Sequence, residues 1–456
     1  MTTGKTLKGK PYAGNPHVRF DEGEVASAAT PRRGSLLYKR GIMFAAIAAA
    51  IVASAMAANA DTVTTNGVTW TYVVNNATKK TVTLGGLSGF NVNQTPTDDI
   101  RAMPAATEID ASLIPWTFTS NDTNYTVTAI GSQAFRGCTG LTGTLNFPSA
   151  VTTLGRACFD STKVCIGTLG GISHIYGYVF QKASEQSFPD ISDVTSIEGG
   201  AFYGSLFTGV VKVRKGTSCG SWRAFSHCGG LEAILALGPD TVASGTQSYT
   251  SFSMDEFADY GTKMKVIFMG PNTKGSALTA GDALNSVTGC KMFVPANGFW
   301  DGLVTGGTNN EIIYYGATTN IDFTVDDDAK IVIARPVTES ALVKALEVAP
   351  LFKTHFGWDM KVDTTNAIEV TAGTLTPGMF ANAGVKAGSL MLNFAVKTQA
   401  QLDAILAAVP SDAMIGIDPT GLTENMVVTG RENVFVKNVP GVEVRRRSNG
   451  FAILVL

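Results

Sequence analysis

The chain has 456 residues, of which 45% are hydrophobic and only 16% charged, and its 35 basic and 37 acidic side chains leave a net charge of −2. That length exceeds one ordinary hydrophobic core, so two or three domains are expected. The near-neutral balance lacks the basic face or stripe of a nucleic-acid binder, and Arg445-Arg446-Arg447 reads as a solvated strand edge.

The N-terminal 60 residues read as a leader followed by a signal peptide whose core spans 43–60. Arg32, Arg33, Lys39 and Arg40 form a basic lead, Met43 to Met56 is almost wholly Ala and Ile, and Ala58-Asn59-Ala60 supplies a small-x-small cleavage site. The mature chain is expected to begin near Asp61. The competing reading is a membrane anchor, but so short and Ala-rich a run makes a poor spanning helix, and no stable span is expected after cleavage. The lead is longer than a signal requires, which makes Met43, or a nearer upstream codon, a candidate start.

Residues 61–125 read as a β-rich cap. Val68 to Val74 alternates through Thr69, Trp70, Thr71 and Tyr72, and Thr81-Val82-Thr83-Leu84 continues the habit. Trp116-Thr117-Phe118 and Tyr125-Thr126-Val127 flank Ser120-Asn121-Asp122, a hairpin signal.

From 126 to 318 the chain repeats. An aliphatic residue, a Gly and an Ala-Phe pair recur at Ile130-Gly131 with Ala134-Phe135 and at Leu154-Gly155 with Cys158-Phe159. The phrase loosens at Ile175 to Phe180, then returns at Ala201-Phe202 and Ala224-Phe225. The five Phe positions are separated by 24, 21, 22 and 23 residues. A period in the low twenties predicts a solenoid, with these rings stacked as one buried ladder. Lys265 to Phe268 and Lys291 to Pro295 read as later strands, with Pro295 closing the stack because it cannot donate to a ladder.

Cysteines 138, 158, 165, 219, 228 and 290 all fall in this region. Cys138 and Cys228 follow anchoring Phe residues four repeats apart, about 19 Å at roughly 4.8 Å per strand, which rules out a bridge between them. Buried free thiols are expected, with room for one local disulfide.

The segment 319–456 carries a second duplication. Thr338 to Pro350 aligns at an offset of 60 with Thr398 to Pro410, each reading as a Thr-capped helix closed by Pro. Strand-like runs precede and follow each helix, which predicts a small α/β domain of two β-α-β units, finished by Val434-Phe435-Val436 and Phe451 to Leu456.

The phrase Ile-Gly-x-x-Ala-Phe-x-x-Cys-x-x-Leu at Ile130 to Leu141 resembles the BspA-type leucine-rich repeat of bacterial surface proteins. Ile114-Pro115 with Tyr125 to Gly131 resembles that family's first repeat, and Cys290 to Pro295 with Phe299-Trp300 its closing strand. The resemblance covers about residues 112–305. It implies an α/β leucine-rich repeat solenoid, secreted or displayed at the cell surface, that binds an extracellular protein or glycan and is not an enzyme. It supplies no catalytic residues.

Candidate chemistry is sparse. Cys219, His227 and Cys228 lack a fourth zinc ligand at the proper spacing. Asp326-Asp327-Asp328 lacks the Gly and Glu of a calcium loop and reads as a polar turn. Asp255, Glu256 and Asp259 read as a solvated loop, and Ser226 beside His227 lies in a repeat instead of on a nucleophile elbow. Asn76, Asn93, Asn121 and Asn124 sit in Asn-x-Thr sequons that mark exposed turns. No catalytic, metal or cofactor residue is assigned. Tyr176, Tyr203 and Trp222 are candidate surface aromatics, though each could equally fill the core. The alternative function is an exported hydrolase or carbohydrate-acting protein with its site between solenoid and C-terminal domain.

Overall fold

The computed structural model describes residues 60–456 except 87–94, 98, 185, 220–223, 239–249, 254–262, 277–283, 285–286, 302, 304–305, 365, 384–390, 430, 441, 443, 449–450 and 456. The leader and the signal core before Ala60, together with Asn93, Trp222, Asp255, Glu256 and Asp259, lie outside the described residues.

Asp61–Thr65 and Val68–Asn76 pair antiparallel around a two-residue turn in which Asn66 (φ 54°) and Gly67 (φ 75°) are both left-handed. That conformation matches the natural twist of a hairpin. Trp70 and Tyr72 point inward and are fully buried, as the alternation predicts. Thr81–Leu84 pairs with this hairpin on one side and runs parallel to Thr123–Ile130 on the other. The Asn121-Asp122 turn joins Thr117–Ser120 to Thr123–Ile130, again with two left-handed residues. Trp70 meets Phe135 edge-on at 6.4 Å, so this sheet covers the first ring of the repeat region.

Phe135, Phe159, Phe180, Phe202 and Phe225 form the expected ladder. Each is at most 1% exposed, and successive rings stack 5.0, 6.1, 5.7 and 5.6 Å apart within 22° of parallel. The backbone around each ring repeats as well. The Phe N–H donates to the carbonyl just before the next Phe (Phe135 to Cys158, Phe159 to Val179, Phe180 to Ala201, Phe202 to Ala224). The N–H two residues later donates to the carbonyl just after the next Phe (Gly137 to Asp160, Ser161 to Gln181, Lys182 to Tyr203, Gly204 to Ser226). Reaching both carbonyls requires a left-handed residue on each side of the ring: Gln133, Ala157, Tyr178 and Gly200 before it, and Gly137, Ser161, Lys182, Gly204 and His227 after it. Glycine suits these positions best, and the other side chains there carry backbone strain.

The slot three residues after each Phe holds a small side chain. Ser205 Oγ donates to the Phe180 carbonyl at 2.5 Å, and Cys228 Sγ lies 3.1 Å from the Phe202 carbonyl one repeat later. The cysteine thus occupies the place of a hydroxyl between turns. All six cysteines are free and only Cys165 is partly exposed. Burial pushes the Cys158 thiol well up, and the Cys290 thiol up to about 12.

Each turn adds short parallel strands to two stacks. One runs through Thr153–Leu154, His174–Ile175, Ser196–Ile197 and Ser218–Cys219, the last three paired in sequence. The other becomes a six-stranded sheet through Gln186–Ser187, Phe207–Val213, Gly230–Ala236, Val266–Met269, Lys291–Pro295 and Glu311–Tyr315. Pro295 does not close this sheet, contrary to the sequence expectation. It pairs opposite Tyr315, and Ala296 N–H donates to the Tyr315 carbonyl. At the last residue of a strand the proline removes one donor only, and its neighbour completes the ladder.

From Gly230 onward both faces of this sheet contribute buried apolar side chains. Ile234, Ala236, Ile267, Met269, Met292 and Val294 face the repeat core. Ala233, Leu235, Val266, Phe268, Phe293, Ile313 and Tyr315 join a second core with Phe323 and Phe352. That second core is supplied by helix α1 (Glu339–Leu351), the π-helical turn Phe352–Phe356 and the hairpin Ile321–Asp326/Ile331–Pro336. Phe352 contacts Phe268 at 5.6 Å and Phe293 at 5.2 Å, both edge-on.

Ile331–Pro336 and Asp359–Val362, on either side of α1, pair in parallel. Met391–Ala395 and Met414–Asp418 do the same around α3 (Gln399–Ala408), while a short α2 (Pro377–Ala383), which the sequence reading missed, lies between. Thr338 and Thr398 cap α1 and α3, each accepting a backbone N–H three residues on, and Gln401 completes a capping box. Pro410 follows the end of α3, but Pro350 lies inside α1. Its missing N–H leaves a carbonyl one turn back without its helical donor, and two residues later the helix passes into the π turn, which Gly357 (φ 73°) ends.

Candidate functional site

In the repeat region the consensus residues are consumed by packing and turns. What remains is the outer side of the strand stack, where Leu154, Ile175, Ile197 and Cys219 point inward and Thr153, His174, Ser196 and Ser218 point out. Around His174 this face becomes organised. Its ring stacks on Tyr176 with centroids 4.1 Å apart, and Nε2 lies 3.3 Å from Glu198 Oε1. Glu198 Oε2 accepts from Arg156 Nη2 at 2.5 Å and from the Gly177 N–H at 3.1 Å. One carboxylate therefore ties three successive repeats, reaching across a glycine that carries no side chain to block it. A Cβ at Gly177 would sit 3.0 Å from the Gly199 carbonyl and 3.5 Å from Glu198 Oε2. The cluster offers a carboxylate, a guanidinium, an imidazole and an aromatic ring, all half-exposed. Tyr176, one of the candidate aromatics, lies in it. Tyr203 instead meets His227 edge-on at 4.8 Å.

The remaining sequence candidates take structural places. His227 holds a left-handed turn position, Cys228 is buried, and among the described residues no group of three or more His, Cys, Asp or Glu could hold a metal ion. Ser226 is fully buried, out of reach of any substrate. Asp326 Oδ1 accepts the Ala329 N–H at 3.0 Å and closes the turn of the hairpin Ile321–Asp326/Ile331–Pro336. Asn121 sits in a hairpin turn, with Asn124 in the following strand.

The alternative site was expected between the repeats and the C-terminal segment, and a cleft of about 860 Å³ does open there. Lys212, Arg214 and Lys215 line it together with Asp190, Asp326, Asp327, Asp328 and Lys330, over Leu235, Val325 and Trp358. Lys212 Nζ donates to the Phe356 carbonyl at 3.1 Å, which ties this cation to the end of the π turn. The lining includes acids and bases of both signs and no His, Ser or Cys among the described residues. No described helix is long and apolar enough to cross a membrane.

The Glu198 bridge escaped the sequence reading because its partners lie 21 to 42 residues away. Arg156, His174 and Glu198 fall at different distances before their anchoring Phe residues, so no shared register marked them in the sequence.

The repeat region matches a known family. The family described as "BspA type Leucine rich repeat region" matches residues 116–234 in six copies. Among solved structures, a leucine-rich repeat protein from Bacteroides ovatus is 15% identical, covering 84% of this chain and 90% of that one with a TM-score of 0.29. One from Eubacterium ventriosum is 14% identical over 83% and 91% with a TM-score of 0.26. A leucine-rich cell surface protein from Faecalibacterium prausnitzii is 14% identical over 57% and 96% with a TM-score of 0.25. No curated protein matches the chain. The ring ladder, the paired left-handed turns and the six-copy match together identify residues 116–234 as a BspA-type leucine-rich repeat region.

Proposed function

We propose that this is a secreted or cell-surface binding protein, without catalytic activity, that presents its repeat face to an extracellular protein or glycan. The observation that carries this reading is the division of labour within each repeat. Consensus slots are buried or left-handed, while the outward side chains at Thr153, His174, Ser196 and Ser218 follow one another in register with Arg156, Tyr176 and Glu198 beside them. Solenoids carry ligands on such variable faces. The proposed organisation is a signal peptide ending near Ala60, a β-rich cap at 61–125, a solenoid at 126–318 and a duplicated α/β domain at 319–456.

The test is binding of the mature chain to immobilised matrix proteins and glycans. Single substitutions at His174 or His227 should be tolerated, and joint replacement of Arg156, His174, Tyr176 and Glu198 by Ala should abolish binding. A substrate turned over by the chain, with turnover lost on one such substitution in a folded protein, would contradict this reading. The cleft of about 860 Å³ supports the second reading, an exported hydrolase or carbohydrate-acting protein, whose signature would be turnover abolished by Asp327→Asn alone.

A further inference from the structure

The C-terminal segment holds a second surface that the repeat-face reading does not use. Met391–Ala395, Met414–Asp418 and Val434–Val436 are parallel neighbours, with Asn393, Gly416 and Phe435 opposite one another. Side chains alternate along each strand, so Leu392, Phe394, Ile415, Ile417 and Val434 share one face and are buried with Leu402 and Ile405 of α3. The other face carries no helix among the described residues. Phe435 stands on it 49% exposed, next to Gly416, where the absence of a side chain leaves a groove of about 410 Å³. Asn366, Asn393, Asp418 and Lys437 supply its polar lining, beside Ala367, Ile417 and Val436.

We propose that this groove is a carbohydrate-binding site in which Phe435 stacks against the C–H face of a neutral sugar ring. An aromatic ring has a negative face that attracts polarised C–H groups and needs no charged partner. The volume lies within the ~300–1,000 Å³ of small-ligand sites. The lining argues against a purely apolar guest, because the Asn366 amide and the Asp418–Lys437 ion pair would lose water without replacement, while the Asn393 amide already donates to the Thr364 carbonyl. Sugar hydroxyls both donate and accept, and so can take the place of that water. Asp418 is already set as an acceptor: hydrogen bonds from Lys437 (2.7 Å) and Thr420 hold its carboxyl below the usual range, and it stays ionised at neutral pH.

The test is calorimetric titration of the mature chain with neutral oligosaccharides of glucose, mannose and N-acetylglucosamine. At least one should bind, Phe435→Ala should weaken it about tenfold or more, and Phe435→Trp should retain it. Because Phe435 is half exposed, the Ala variant should melt close to wild type, which separates lost binding from lost fold. His174→Ala/Tyr176→Ala on the repeat face should leave this affinity unchanged, so the two surfaces fail or succeed separately. The proposal is overturned if no saccharide binds at millimolar concentration, or if Phe435→Ala leaves binding intact. A Leu-rich peptide binding through Phe435 in place of any saccharide would overturn it as well.

Discussion

Up to residue 187 the lateral strands of the repeats are two residues long, as at Thr144–Leu145, Cys165–Ile166 and Gln186–Ser187, and each keeps exposed or half-buried residues. From Phe207 to Tyr315 they lengthen to between four and seven residues, and the three strands between Gly230 and Pro295 are mostly buried, while Glu311–Tyr315 at the sheet edge keeps half-buried residues. The difference follows the second core. Where α1 and the π turn cover the outer face, a strand gains by burying side chains in both directions, and longer ladders follow. Where nothing described covers it, an extended apolar strand would expose hydrophobic surface and an open edge, and the chain instead turns after two residues. The C-terminal segment therefore shares a core with the outer face of the six-stranded sheet. The family match ends at 234, close to where strands begin to serve two cores.

The sharpest way to break this comparison is to remove one ring from each core. Phe202→Ala and Phe352→Ala, both fully buried, should each cost about 3–5 kcal/mol in denaturant unfolding. A loss under about 1 kcal/mol at either would show that its core does not hold as described. A smaller effect is expected from Gly137→Ala. The new Cβ would find nothing within 4 Å, so only the left-handed backbone at φ 71° opposes it, at about 1 kcal/mol. No change would mean that these turns relax freely.

The two cores should also differ in acid. Lys291 and Lys344 bridge Glu311 on the last sheet strand and Glu347 on α1, with Lys344 2.8 Å from Glu347 and 3.0 Å from Glu311. Burial pushes Glu311 up, but the hydrogen bonds and charges of both lysines outweigh it and hold the carboxyl low. Glu347 is lowered chiefly by its hydrogen bond to Lys344. Both folded values lie below the unfolded one, near ~4.3, so their contribution is complete above that pH and is lost as pH falls through the folded values. Melting temperature should decline across that window, and Lys344→Met should flatten the decline. An unaltered profile in the variant would remove the bridge from the account. The smallest effect concerns the thiols: under native conditions a thiol reagent should label Cys165 first and leave Cys138, Cys158, Cys228 and Cys290 untouched until unfolding.

Much of the repeat geometry was legible because each slot recurs. Five Phe residues in one phase announced the ladder, and the Cys138 and Cys228 positions three places after a Phe announced buried thiols. The capping threonines exposed the 60-residue duplication for the same reason. The docking of α1 was not legible, because Phe268, Phe293, Phe323 and Phe352 belong to no shared pattern and a strand buried on both faces shows no alternation. The inclusion of Pro350 in α1 and the pairing at Pro295 depend on which backbone group a neighbour can supply, and local sequence does not state this. At the candidate sites the sequence offered Tyr176 but neither His174 nor Glu198 as its neighbours. It placed Phe435 in a strand without showing which face would be left open.

Hydrogen exchange on the wild type and on Phe352→Ala tests the central claim, that α1 and the π turn make the later strands two-sided. The account predicts that amides in Gly230–Ala236, Val266–Met269, Lys291–Pro295 and Glu311–Tyr315 lose protection in the variant while His174–Ile175, Ser196–Ile197 and the backbone around Phe135 to Phe202 keep theirs. Equal loss along the whole repeat region, or protection unchanged in the later strands, would contradict it.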